Sequence, residues 1–164
     1  MTKKLSRWTT LLTLALSAHL ANAQTAAAPA PPAGQVPAYD EALARSLGAD
    51  DNGMRAYVLV ILKTGPTPVP AGPDRDAMFR GHFANIERLA GEGKLAYAGP
   101  LDKVDGWRGL FILAVDDLEA ARKIVATDPV IISGEMVAEY HKHYGSAALM
   151  AVNELHHKIA RPGR

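Results

Sequence analysis

A histidine at position 82 falls on the apolar stripe of a helical stretch, among Phe79, Phe83, Ile86 and Ala90, where an aliphatic side chain is expected. Further along, Asp128 stands directly before Pro129 at the end of a second helical stretch. An acid beside an imidazole is proton-transfer equipment: the imidazole changes charge near neutral pH, and the carboxylate fixes its tautomer and makes it more basic. Asp128 also has a purely architectural use, because Asp then Pro is the favoured order of N-cap and first helical residue, so its carboxylate can satisfy amides near Val130 and Ile131. The two uses are compatible, since a carboxylate accepts several hydrogen bonds.

Other residue types are weaker signals. Glu139, His141 and His143 alternate near the C-terminal end and would project from one face of a strand, a nitrogen and oxygen set suited to zinc or iron if it met His82. A strand histidine near an edge usually has no such role, and no metal site is expected here. Tyr57, Tyr97, Trp107 and Tyr140 offer stacking surface and phenol hydrogen bonds, and Arg80, on the same helical turn as His82, offers a charge for an anionic substrate. His156 and His157 are expected to face solvent. Gly99-Pro100 is only a turn signal. The chain has no glycine-rich phosphate cradle, no serine elbow and no HExxH, which disfavours nucleotide-dependent and serine-nucleophile chemistry.

These residues need a frame. Arg55–Leu62 alternates as a strand with both faces apolar, Tyr57, Leu59 and Ile61 against Ala56, Val58, Val60 and Leu62. Asp74–Gly93 reads as a helix closed by Gly93 in a left-handed cap. Lys94–Gly99 is a short strand. The loop 100–106 leads to a third strand beginning near Trp107, again apolar on both faces. Asp116, with Glu119 three residues later, marks a second helix with Leu118, Ala121, Ile124 and Val125 inward, which must stop before Pro129. Glu135–Tyr144 is the fourth strand, and Ser146 can cap a last helix in which Leu149, Val152, Leu155 and Ile159 recur.

The βαββαβ order, with right-handed crossovers, predicts an α+β, ferredoxin-like sandwich: a four-stranded antiparallel sheet with two helices on one face. In that topology the start of the first helix and the end of the second share a rim. His82 lies about 12 Å along its helix from Asp74 and can face a pocket near Asp128. Apolar residues on both faces of the central strands require a cover for the second face, and a second copy of the chain is the simplest one.

The N-terminus bounds the setting. Lys3, Lys4 and Arg7 precede an apolar run, Leu11 to Leu20, and then Ala21-Asn22-Ala23, which reads as a signal peptide over residues 1–23 of an exported protein, periplasmic in a Gram-negative source and otherwise secreted. Its removal leaves 15 basic against 17 acidic residues, so the net charge moves from +1 to −2. That balance gives no footprint for nucleic acid or for a membrane surface after cleavage. The chain has no cysteine, which excludes disulfides, thiolate catalysis and thiolate metal sites. Residues 24–37, rich in alanine and proline, read as a tether, 38–53 carry a short helix, 54–145 form the main domain and 146–164 a C-terminal helix.

The string GHFANIERLAGEGKLAYAGPL from Gly81, the aromatic third strand, the Asp128-Pro129 pair and YGSAALM ending at Met150 together resemble the YCII-related, or YciI-like, domain family. The leading GADDNGMRAYVLVILKTGP is similar to exported members. The resemblance spans about Met54 to Met150 and implies a ferredoxin-like fold paired into a dimeric α/β barrel. It implies an acid–base pair at His82 and Asp128. The expected protein is a homodimer that takes a small, aromatic or cyclic molecule through elimination or isomerisation without a cofactor, with Tyr57, Arg80, Tyr97 and Trp107 about the substrate. The other reading is a non-catalytic dimeric binding module of the same fold.

Overall fold

The computed structural model describes residues 38–161; the expected signal peptide and tether lie outside them. Helix α1, Glu41–Leu47, starts on the Asp40 carboxylate, which accepts from the Leu43 amide. Strand β1, Met54–Thr64, leads to helix α2, Pro73–Gly91, and strand β2, Leu95–Pro100. A 3-10 turn at Val104–Gly106 precedes strand β3, Trp107–Leu113. Helix α3, Leu118–Val125, and the single turn α4, Pro129–Ile132, lead to strand β4, Met136–Ser146. A 3-10 turn, Ala147–Ala151, then opens helix α5, Val152–Ile159, so the last segment is two elements where one helix was expected.

The strands form one antiparallel sheet in the order β2-β3-β1-β4. Register fixes its faces. Val58, Val60 and Leu62 pair with Leu113, Phe111 and Gly109 of β3, and on the other side Val60, Leu62 and Thr64 pair with Tyr140, Ala138 and Met136 of β4. Most of these side chains enter the core with Met78 and Leu89 of α2, Ala121 and Val125 of α3, and Val130 of α4. All three helices therefore cover one face of the sheet. The other face carries Tyr57, Leu59 and Ile61, opposed by His143, His141 and Glu139 of β4, with Ile112 and Leu110 of β3 beside Leu59 and Ile61. Part of that face is covered by the chain itself: Tyr57 is buried, and its hydroxyl donates to the Ser146 carbonyl.

Helix α2 is rotated from the orientation its apolar residues suggest. The buried positions are Met78, His82, Asn85 and Leu89, at spacings of four, three and four, while Phe83 is 59% exposed and Phe79 and Ile86 flank the buried line. The stripe aimed at the core thus holds two polar residues among its four, and the phenylalanines turn aside. Pro73 begins the helix with its ring fixing φ, and Asp74 and Asp76 in the first turn complement the helix dipole. It ends at Gly91, and Gly93 closes it as expected in the left-handed conformation, φ 67°, with the Gly93 amide on the Ala90 carbonyl and the Lys94 amide on Leu89. The cap of α3 is Asp117, not Asp116: its carboxylate accepts from the Glu119 and Ala120 amides.

Candidate active site

The α2–α4 crossing brings His82 and Asp128 together. His82 Nδ1 stands 2.9 Å from both carboxylate oxygens of Asp128. Asp128 is fully buried, and His82 is 7% exposed. The carboxylate also accepts from Asn85 Nδ2 at 3.1 Å and, as the N-cap of α4, from the Val130 amide at 3.1 Å. Asp128 thus makes both the contact with the imidazole and the N-cap bond to Val130; the Ile131 amide bonds the Asp128 main-chain carbonyl instead. A carboxylate facing Nδ1 selects the tautomer with its proton there and leaves the Nε2 lone pair free. Among the described residues Nε2 has no hydrogen-bond partner, and His82 borders a cavity of about 440 Å³.

That cavity lies between α2 and the β2–β3 side of the sheet. Its walls are Phe79, Phe83 and Ile86 of α2, Leu62 and Phe111 of the sheet, Ala98, Gly99 and Pro100 of β2, and Met136. Among the described residues, the only side chains on it with ionisable groups are His82, Lys103 and Arg108. The imidazole is held among rings, stacked on Phe111 with centroids 6.0 Å apart and near Phe83 at 5.4 Å. An imidazole whose Nδ1 is anchored and which borders an apolar cavity can take a proton from carbon at its other nitrogen and return it.

Two sets of polar residues, one behind the pair and one around Glu135, have no counterpart among the residues expected from sequence. Asn85 Oδ1 accepts from Arg88 Nη2 at 2.7 Å, so Arg88 orients the amide that in turn holds Asp128. The signal was present in the spacing, because Asn85 and Arg88 each follow the previous member of the line His82-Asn85-Arg88 by three residues. The second set surrounds Glu135, 2% exposed. Its carboxylate takes Arg75 at 2.8 Å, the Val69 amide at 2.8 Å and Arg108 at 3.3 Å. Burial alone would raise the Glu135 carboxyl, but Arg75, the Val69 amide and Arg108 outweigh it and hold it below the usual carboxylate range.

The remaining expected residues are not brought to this cavity. Tyr57 projects from the face of the sheet away from the helices, and burial raises its phenol above the ordinary range. Tyr97 pairs with Ile112 on that same far face, Trp107 begins β3 at 42% exposure, and Arg80 lies on the solvent side of α2. For Tyr57, Tyr97 and Arg80 the reason is parity: one residue of offset on a strand reverses the face, and two on a helix turn a side chain well away from its neighbour; Trp107 lies beyond the register shift at Leu62/Lys63 and pairs with Lys63. Glu139, His141 and His143 likewise stand across the sheet from His82, so they cannot join it around a metal. Glu139 instead bonds His141 Nε2 at 2.8 Å.

With this geometry in view, residues 54–141 match the family model of the YCII-related domain, more than half of the chain, and the protein belongs to that family. No curated protein matches it. Among the described residues no helix is long and apolar enough to cross a membrane.

Proposed function

We propose that this protein is an exported small-molecule enzyme that moves a proton between carbon atoms of a small, aromatic or cyclic substrate, or removes one with loss of a leaving group. His82 Nε2 takes the proton, and the electron pair of the C–H bond either shifts to a neighbouring atom or expels the leaving group. In isomerisation the same nitrogen returns the proton to a second carbon. Asp128 holds the Nδ1–H tautomer and stabilises the imidazolium while it exists. The observation that carries this reading is the 2.9 Å contact of Nδ1 with Asp128 beneath an imidazole that borders an apolar cavity. No cofactor enters the scheme. The strand order supports a ferredoxin-like sandwich, and Leu59, Ile61, Leu110 and Ile112 on the face away from the helices support pairing into a dimeric α/β barrel.

The test is a screen of small phenols, lactones and carboxylic acids by thermal shift, followed by turnover assays on every compound that stabilises, with His82→Gln in parallel and light scattering for mass. The expected result is a dimer whose turnover falls about 10²–10⁴-fold in His82→Gln, the usual worth of a positioned acid–base group. Binding that survives in His82→Gln with no turnover by either form would instead establish a binding module, for which the enclosed imidazole is a hydrogen-bonding group and nothing is transferred.

A further inference from the structure

Besides His82, two cations border the cavity, Lys103 and Arg108, and among the described residues no acid lines it. Arg108 contacts Glu135, but only at 3.3 and 3.4 Å, longer than the roughly 2.7–2.9 Å of a strong charge-assisted bond. Arg75 holds the same oxygen, Oε1, at 2.8 Å. Two guanidinium groups against one carboxylate leave one positive charge over, and the loosely bound Arg108 is the one that borders the cavity. A guanidinium has five N–H donors, and Arg108 directs two of them, weakly, at Glu135.

Lys103 adds a second charge. It makes no ion pair among the described residues and borders the same cavity from the loop between β2 and β3. Its backbone is left-handed, with φ 71°, and two residues on Asp105 has φ 52°. L side chains rarely adopt this conformation, glycine does so freely and asparagine readily. A lysine where the backbone favours glycine is a local cost that its charge at the cavity would explain.

We propose that the site selects a small apolar or aromatic carboxylate. Its anionic group lies between Arg108 and Lys103, and its apolar body lies along Phe79 and Phe83 toward His82 Nε2. The planar guanidinium fork matches a carboxylate, and the apolar walls weaken the screening that would make such a contact trivial in water. This deepens the acid–base reading by naming the substrate class and rests on it for the direction of the reacting end, though not for the binding itself.

The test is titration of the purified chain, followed by backbone amide NMR, with phenylacetate and cinnamate and with their neutral amides. The acids are expected to bind at least about tenfold tighter than the amides, a gap of about 1.4 kcal/mol, and to shift amides of the 99–111 segment. Arg108→Gln should remove the preference. Because that variant disturbs Glu135, Lys103→Asn serves as the second: it keeps the left-handed backbone, folds normally and narrows the preference several-fold. Equal affinity for acids and amides, no binding of either in the millimolar range, or a preference that neither variant changes would each overturn the proposal. His82→Gln is expected to keep the preference for the acid. A preference retained there, together with turnover undiminished in the same variant, would leave the carboxylate site standing and remove the acid–base reading instead.

Discussion

At the scale of the residue, the site rests on which ring nitrogen of His82 carries the proton. Asp128 faces Nδ1 with both oxygens at 2.9 Å, and it cannot turn away without abandoning Asn85 and the Val130 amide. The neutral imidazole is therefore expected in the Nδ1–H form, a minority tautomer for free histidine, and long-range nitrogen–proton NMR of the side chain reads it directly. Finding the proton on Nε2 would remove the base from the scheme. In Asp128→Asn the amide can offer its N–H to Nδ1, and the preference should reverse. Asp128→Ala removes the cap of α4 and strands Asn85 and the Val130 amide, and should lower stability by about 2–4 kcal/mol in denaturant unfolding. The contact was legible in the sequence because His82 stands on an otherwise apolar stripe and the βαββαβ order brings the Asp128-Pro129 end of the second helix to it. Arg80, Tyr97 and Trp107 carry no such signal, and residue type alone carries no information on which way a side chain points.

At the scale of the element, the contact depends on how closely α2 crosses α4. Gly81 lies at that crossing: a Cβ there would stand 3.0 Å from Pro129 Cγ and 3.7 Å from Pro129 Cβ. The pyrrolidine ring is stiff, so the neighbour gives way only if the helices part. Gly81→Ala gains up to about 1 kcal/mol of helix propensity but must open the crossing by a few tenths of an ångström. The expected outcome is a stability change smaller than that gain, accompanied by partial loss of the His82 tautomer preference. A full gain with an unaltered imidazole spectrum would show that the crossing is slack. Elements were the most readable level of this chain. Four strands, the two main helices and the Gly93 cap follow from periodicity and capping residues, because these are local rules. The rotation of α2 does not, since Phe79, Phe83 and Ile86 satisfy a helical period as well as Met78, His82, Asn85 and Leu89 do. The second set is the buried one because Met78 and Leu89 enter the core while His82 and Asn85 find a buried partner in Asp128, which lies far along the chain.

At the scale of the whole molecule, Glu135 is the acid that ties the rim. Through Arg75 it holds the first turn of α2, through Arg108 the start of β3, and through the Val69 amide the proline-rich loop, from its own position just before β4. Arg75 also lies over the Phe79 ring at 4.9 Å, so the same ties reach the cavity wall. None of this was visible along the sequence, where Glu135 is an ordinary acid at a strand start and its partners lie far away in the chain. Its depressed carboxyl contributes to acid sensitivity. Because the folded value lies below the unfolded one, the unfolded chain binds more protons between the two, and stability falls as pH drops through that interval. The contribution is complete above the unfolded carboxyl range, about pH 4.3, and is lost as pH falls through the folded value. Asp50, Glu92, Asp117, Glu139 and Glu154 are lowered too, but all are solvent-exposed, and screened surface pairs contribute little. Glu135→Gln should therefore cost about 3 kcal/mol at pH 7, where two arginines lose their shared anion, and should show a flatter acid limb than the parent. Urea unfolding across pH 2.5 to 7 on both proteins makes the comparison; curves that stay parallel throughout would mean that the rim is held by packing and that Glu135 is incidental to it.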